Sequence, residues 1–368
     1  MSDTTSSMLL VGVGGAGCAM ARGVMRAFGD GLRYVLADTD AKTGEAGGPF
    51  VLIGGDRLSG RGSGGDVVAA RLAAEDSVQA LDDSLEGVRL AVVLTALGGG
   101  TGGGATLEVV KHLSGRGIPS CVFATTPFAF EGETRQRNAR GMMTLVEEAA
   151  SACFFIPLDK LVGEADSDMP GAMRRAVDTL ASGVTLFWRL VEKPGYIRLD
   201  AERIRHLAAG AGRGRFAYVS AQGPDRAARA VDALRRSPLL LAGSGPVSSM
   251  LCGVLAGDDL RLSEIGFISE GLREAFGYKA AFDLATVNDE ATFSGRVAVV
   301  AMLFESIRQE TDDPRGGAPA TRGRHKPRAI LSPGPTGRGR FNNSEPTIWN
   351  GEDLDTPTFL RKNISLEF

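Results

Sequence analysis

Histidine and cysteine are scarce: three and four residues in a chain of 368. Cys18, Cys121, Cys153 and Cys252 stand far apart, with no CxxC pair and no histidine beside them. That spacing argues against a disulfide framework and a structural zinc site, and no metal-binding residue is assigned. Cys121 and Cys153 lie beside apolar runs and read as core residues. His112, His206 and His325 share no motif and read as helix-surface or tail residues. No apolar run approaches the roughly 18 residues that span a bilayer. The first residues, MSDTTSSMLLVGVGG, lack the basic start and apolar stretch of a secretory signal. A soluble, cytoplasmic protein without direct membrane insertion is expected. Charge is nearly balanced, with 41 basic against 44 acidic residues and a net charge of −3. Binding to nucleic acid through overall charge is therefore not expected. GxxxxGK[ST] and the HRD and DFG elements are also missing, which excludes a P-loop and a protein kinase.

Glycine is what the chain has in excess: 50 residues, or about twice the usual share. They show no three-residue period, so collagen is excluded. With 43% hydrophobic residues, the chain is long enough for two domains and a tail. From Met8 to about Leu161, apolar strands alternate with amphipathic helices. MLLVGV is a buried strand, and a helix is expected from about Gly17 through Met20, Val24 and Ala27. Further strands fall at LRYVLADTD, Leu90–Leu97, Pro119–Thr125 and Cys153–Pro157, with a helix over Ala105–Leu113. This is the pattern of a doubly wound parallel sheet, whose ligands bind at the carboxyl ends of the strands.

One long helix is expected over Met169–Glu192, with Val177, Leu180, Val184 and Phe187 on its apolar face and Pro194-Gly195 after it. A smaller α/β unit with a mixed sheet follows. Its helices fall at 200–209, 224–236 and 263–276, and its strands at 215–221, 247–255, 280–288 and 295–304. The expected organisation is therefore a doubly wound α/β domain at 8–168, a central helix at 169–194 and a second domain at 195–307. Residues 308–351 are rich in Gly, Pro, Arg, Asp and Thr and read as a disordered linker. Residues 352–368 regain apolar side chains and read as a partner-binding peptide; a frayed end is the plain alternative.

Two glycine clusters join a strand to a helix: Gly12–Gly17 and Gly98–Gly104. Glycine lets backbone N–H groups approach an anion closely, and a helix N-terminus adds partial positive charge. GxGxxG alone is a weak dinucleotide signal, but two such loops in one sheet suggest a polyphosphate held between them. The run GGGTGGG resembles the signature loop of the tubulin/FtsZ superfamily, and its surroundings resemble the FtsZ-like bacterial cell-division GTPases. LLVGVGGAG, VLADTDA, GRGSGGDVVAARLAAED, TTPFAFEGETR and FFIPLDKLV are similar to successive nucleotide loops of that family. PLLLAG is similar to part of its second domain, and GEDLDTPTFLRK to its C-terminal peptide. The resemblance runs from Leu10 to about Met302 and leaves no role for a dehydrogenase.

The resemblance implies GTP or GDP as ligand, with Mg2+, in subunits that stack head to tail. Gly14, Gly15, Gly17, Gly98, Gly99, Gly100, Gly102, Gly103 and Gly104 would cradle phosphates, and Thr101 would add a hydroxyl. Gly62, Ser63 and Gly64 would close over the terminal phosphate. Glu131 would accept from ribose hydroxyls, Arg135 would face a phosphate, and Asp178 would read guanine N1 and N2. Leu354, Pro357, Phe359 and Leu360 would dock on an adaptor, recruiting the protein to the inner face of the membrane.

Three places depart from the family pattern. Leu158 replaces a guanine-side asparagine. Val177 replaces another asparagine, and Met173 a stacking aromatic. In the loop that enters the next subunit's site, Asp200 matches the first catalytic aspartate, but Arg203 stands in place of the second. Arg198 replaces an asparagine there. A cation cannot serve as general base, and neighbouring Glu202 points about 100° away on a helix. The interface set is thus Arg198, Asp200 and Arg203, with Asp200 and Glu202 the weak catalytic candidates. The two arginines would pair with the neighbour's phosphates, or are solvated charges. The expected protein is an FtsZ-like filament former with weak or absent GTPase. A working division GTPase, or a non-polymerising regulator that co-assembles with another FtsZ, are the alternatives.

Overall fold

The computed structural model describes residues 6–29, 31–162, 168–208, 212–242 and 245–305 of one compact unit, and residues 348–349 and 352–353 of a second. Ten strands of the first unit form one sheet. They are β1 (Met8–Val13), β2 (Tyr34–Asp38), β3 (Phe50–Leu52), β4 (Leu90–Ala96), β5 (Ser120–Thr126), β6 (Ala152–Pro157), β7 (Gly212–Gln222), β8 (Val247–Ala256), β9 (Ala281–Asn288) and β10 (Arg296–Glu305). Their order across the sheet is β3-β2-β1-β4-β5-β6-β7-β10-β8-β9. Pairing is parallel from β3 to β7, antiparallel on both sides of β10, and parallel again between β8 and β9.

Alternation along the strands explains why both faces are covered. Met8 and Leu10 of β1 point to one side, with Val92 of β4, Phe123 of β5 and Phe154 of β6. Leu9, Val11 and Val13 point to the other, with Val93, Val122 and Cys153. A period of two sends successive side chains to opposite faces, so a strand buried on both sides reads as a continuous apolar run. The first face packs on the helix Met169–Glu192 through Leu180, Val184, Phe187 and Trp188. This central helix begins where Asp168 accepts a hydrogen bond from the Gly171 N–H at 3.0 Å, with Pro170 in the first turn. Its bounds are those expected from the sequence.

The two α/β units expected from the sequence share this sheet. β7 runs beside β6, with Ala152, Cys153 and Phe154 opposite Gly212, Arg213 and Gly214. Gly214 makes the junction possible, because a Cβ there would lie 2.5 Å from the Phe154 ring. The ring instead fits an aromatic cluster with Phe123, Phe216 and Phe304, at centroid separations of 4.9–6.1 Å. Within the first compact unit, one core therefore crosses from one α/β half into the other.

Other differences are local. The first helix runs Gly14–Phe28, three residues ahead of the expected start, and the next glycine cluster opens the helix Gly100–Gly115 rather than forming a loop up to Ala105. All four cysteines are free and buried, and burial pushes the Cys121 thiol up to about 12. His112 is not a plain surface residue: its Nε2 lies 2.6 Å from Asp82 Oδ1, and Arg116 pairs with the same carboxylate. His206 is exposed on the helix Ala201–Ala208. Among the described residues no helix is long and apolar enough to cross a membrane. In the second unit, Ile348–Trp349 pairs antiparallel with Glu352–Asp353, across the expected boundary between linker and peptide. His325, Leu354, Pro357, Phe359 and Leu360 lie outside the described residues.

Gly17 and Gly141 should respond oppositely to alanine. A Cβ on Gly17 would lie 2.3 Å from the Leu94 carbonyl oxygen, whereas Gly141 sits exposed in the helix Glu133–Ala149 with nothing near. Gly17→Ala should cost about 1–3 kcal/mol or more by overpacking, and Gly141→Ala should stabilise by roughly 0.5–1 kcal/mol. Urea unfolding of the two variants reads both signs.

Candidate functional site

β1 has β2 on one side and β4 on the other, so the connections leaving the two central strands go to opposite faces of the sheet. In open α/β sheets such a reversal leaves a crevice beyond the carboxyl ends of the strands. A cleft of about 320 Å3 lies there. Both helices that start at it, Gly14–Phe28 and Gly100–Gly115, lack a side-chain cap: Val13 and Gly99 at the N-cap positions offer no acceptor. The first N–H groups of a helix have no intrahelical partner, and each N-terminus carries roughly half a positive charge.

Close backbone contacts bring these two ends together. Gly14 has a φ of +74°, and a Cβ there would lie 3.0 Å from the Gly102 nitrogen. A Cβ on Gly102 would lie 2.1 Å from the Ala96 carbonyl oxygen, and one on Gly104 2.1 Å from that of Val67. Gly100 has Ser63 Oγ where its side chain would be, at 2.2 Å. Thr95 Oγ1 donates to the Gly102 carbonyl at 2.9 Å and accepts from Thr106 Oγ1, tying the helix start to β4. The glycine cluster thus has a packing reason as well as the anion-binding one read from the sequence.

Of the residues named from the sequence, Gly14, Gly15, Ser63, Gly64, Gly99, Gly100, Thr101, Gly102, Glu131 and Arg135 line the cleft. Gly17, Gly62, Gly98, Gly103, Gly104 and Asp178 do not. Gly17 and Gly104 are spent on backbone contacts, and Gly103 packs on Met142. Asp178 is exposed on the central helix, while its neighbour Val177 lines the wall. Glu131 is engaged at both oxygens, accepting from the Phe128 N–H at 2.8 Å and from Arg135 Nη1 at 2.6 Å.

A polar network behind the cleft was not assigned from the sequence. Thr101 Oγ1 lies 2.6 Å from Thr39 Oγ1, which is fully buried at the end of β2. The Thr39 N–H donates to Asp38 Oδ1, and Thr43 Oγ1 to Asp38 Oδ2. The available signal was three polar residues, Asp38, Thr39 and Asp40, closing an apolar strand.

Arg198, Asp200, Glu202 and Arg203 lie outside the cleft wall. Their segment is fixed to β9. The Thr286 N–H donates to the Ile197 carbonyl, the Ile197 N–H to Thr286 Oγ1, and Gly195 stands where any Cβ would meet the Thr286 carbonyl oxygen at 1.6 Å. Asp200 Oδ1 accepts from the Arg203 N–H at 2.7 Å, capping the helix Ala201–Ala208. The Arg203 guanidinium pairs with Asp283. Arg205, hydrogen-bonded to Glu202, holds that carboxyl below the usual carboxylate range. Arg198 is exposed and has no ion-pair partner among the described residues.

A doubly wound sheet with two uncapped helix N-termini meeting at its reversal point defines an α/β protein whose cleft is electrostatically suited to an anion. Residues 7–166 match the family model of the Tubulin/FtsZ family, GTPase domain. FtsZ of M. jannaschii, solved as an empty dimer, superimposes with a TM-score of 0.75 at 24% identity, covering 82% of this chain and 89% of that one. CetZ2 from Haloferax volcanii, solved as a GTPγS-bound protofilament, gives 0.68 at 23% identity, covering 82% of this chain and 94% of that one. CetZ1 from Haloferax volcanii, a GDP-bound monomer, gives 0.68 at 20% identity, covering 80% and 93%. The structural likenesses establish a shared fold, and residues 7–166 are similar to the GTPase domain of the Tubulin/FtsZ family.

Gly99→Asp separates anion binding from folding. Gly99 has an ordinary φ of −84°, and a Cβ there meets nothing within 4 Å. The new carboxylate would cap the helix and complement its dipole, gaining roughly 0.5–1 kcal/mol. It would also occupy the N–H groups that hold an anion and repel one. Thermal unfolding should show a raised Tm, while titration with a fluorescent nucleoside triphosphate should show at least tenfold weaker binding.

Proposed function

We propose that this chain is an FtsZ-like cytoskeletal protein that binds GTP or GDP in the cleft and assembles head to tail into protofilaments, with weak or absent hydrolysis. The observation that carries the nucleotide assignment is the contact of Gly14 with Gly102 at the mouth of the cleft, which sets two uncapped helix N-termini side by side. Two half-charges of one sign in contact call for an anion, and a polyphosphate chain spans both. Gly14, Gly15, Gly99, Gly100, Thr101 and Gly102 would bind the phosphates. Ser63 and Gly64 would cover the terminal one. Arg135, released from Glu131, would meet a phosphate oxygen and leave Glu131 to the ribose hydroxyls. Among the described residues no cluster of His, Cys, Asp or Glu is placed to hold a metal ion. The Mg2+ that accompanies a nucleoside triphosphate would therefore be held chiefly by the phosphates.

Weak hydrolysis rests on the surroundings of Asp200, Glu202 and Arg203. A general base must be free to accept a proton from water. Asp200 is occupied as a helix cap, Glu202 is paired with Arg205, and Arg203 is paired with Asp283. Arg198 is the cation left free to approach a neighbour's phosphates. Self-association is also seen in relatives of this fold, one solved as a dimer and one as a protofilament. The segment around Leu354, Pro357, Phe359 and Leu360 would bring the filament to an adaptor at the membrane. Co-assembly with a second FtsZ-like protein is the alternative if the chain does not polymerise alone.

Sedimentation and phosphate release, measured together, test the assignment. Nucleotide should drive the protein into the pellet while phosphate appears slowly or not at all; rapid turnover that depends on assembly would defeat the low-hydrolysis claim. Removing residues 352–368 should leave pelleting intact and abolish localisation in cells, and unchanged localisation would sink the adaptor role.

A further inference from the structure

Resting on the nucleotide assignment above, the structure assigns this cleft a purine site that is read by shape, with little discrimination between guanine and its analogues. The phosphate end supplies backbone N–H groups, which see every nucleotide alike. Among the described residues, the polar side chains on the wall are Ser63, Thr101, Thr125, Glu131 and Arg135. Thr101 is bonded to Thr39, and Glu131 and Arg135 to each other.

The remaining wall is apolar. Leu158, Ala176 and Met173 form one hydrophobic cluster with Phe128, and Met20, Val177 and Pro127 are among the other apolar residues that line the cleft. Leu158, Ala176 and Met20 are at most 6% exposed, so these side chains are fixed in place rather than turned aside. The acidic residue that could accept from guanine N1 and N2, Asp178, follows Val177 on the helix. Successive helical positions diverge by about 100°, and Asp178 is exposed and off the wall. Guanine, hypoxanthine and adenine differ in hydrogen-bonding groups at positions 1, 2 and 6, while their ring surfaces are nearly the same. An apolar wall stacks on the shared surface and leaves the differing edges to solvent.

The size of the effect follows from the kind of contact. A site built to hydrogen-bond a polar group rejects an analogue lacking it by about 10⁴–10⁵-fold, whereas an apolar pocket separates near-isosteres by about 100-fold at most. Competition against a fluorescent nucleoside triphosphate, with GTP, ITP and ATP as competitors on the full chain, reads the difference. ITP lacks only the 2-amino group, so against GTP it reports that group alone, and ATP against ITP reports positions 1 and 6.

The expected result is GTP and ITP within about threefold of each other and ATP within about 100-fold of GTP. Leu158→Asn, which sets an amide on the apolar wall, should shift the GTP-to-ATP ratio toward GTP by at least threefold. Because that variant could also unsettle the buried cluster, pyrophosphate competition is measured beside it and should be unchanged. A GTP preference beyond those limits in the wild-type chain overturns the inference and leaves nucleotide binding standing. Failure of all three nucleotides to bind overturns both.

Discussion

Much of this molecule depends on one contact, the approach of Gly14 to Gly102. It forces two helix N-termini into van der Waals range, an arrangement that is self-repulsive when empty and favourable once a polyanion lies across it. Side chains at any of several positions would break it. The Ala96 and Leu94 carbonyls of β4 leave no room for a Cβ on Gly102 or Gly17, and Ser63 fills the place of one on Gly100. At Gly14, Gly100 and Gly102, which also line the cleft, packing by itself already calls for glycine.

A second constraint sets what surrounds this point. The central helix lies on the sheet with Leu180, Val184, Phe187 and Trp188 in the core, and its first turns supply Met173, Ala176 and Val177 to the cleft wall. Gly23 of the first helix faces Ala181 closely, since a Cβ on it would lie 2.9 Å from the alanine methyl. Small residues at that crossing bring the two helices together and so fix the width of the cleft. Farther along, Thr286 holds Ile197 at both its N–H and carbonyl, so the segment carrying Arg198 and Asp200 has a defined path rather than a loose one.

Much of this was legible in the sequence, for identifiable reasons. The apolar runs at Met8–Val13 and Leu90–Ala96 could be little but buried strands, and the 24-residue helix carried its own signals in its apolar face and in Pro194. Helix starts were misplaced because glycine has poor helical propensity, and only tertiary contact shows that Gly100–Gly104 are helical. The continuity of the sheet was hidden for a similar reason: Gly214 reads as a break, yet its missing side chain is what admits Phe154. Of the glycines named from motif and resemblance, Gly14, Gly15, Gly64, Gly99, Gly100 and Gly102 line the cleft, as do Glu131 and Arg135, whose pairing with each other was not expected. Thr39, the exposure of Asp178 and the Asp200 cap were not, because each depends on which way a side chain leaves its element. The partners of Arg203 and His112, Asp283 and Asp82, lie 80 and 30 residues away, and no local pattern announces them.

The aromatic seam at Phe154 and Gly214 has a mechanical consequence. Hinge-bending between two halves needs a linker whose torsions can change freely, but here the halves are joined by strand pairing between β6 and β7 and by interlocked rings. Opening at that line would break backbone hydrogen bonds and expose Phe123, Phe154 and Phe304 to water. The first unit is accordingly a stiff block. In any polymer assembled from it, compliance would reside at the contacts between successive copies, and curvature would be set by how those contacts tilt.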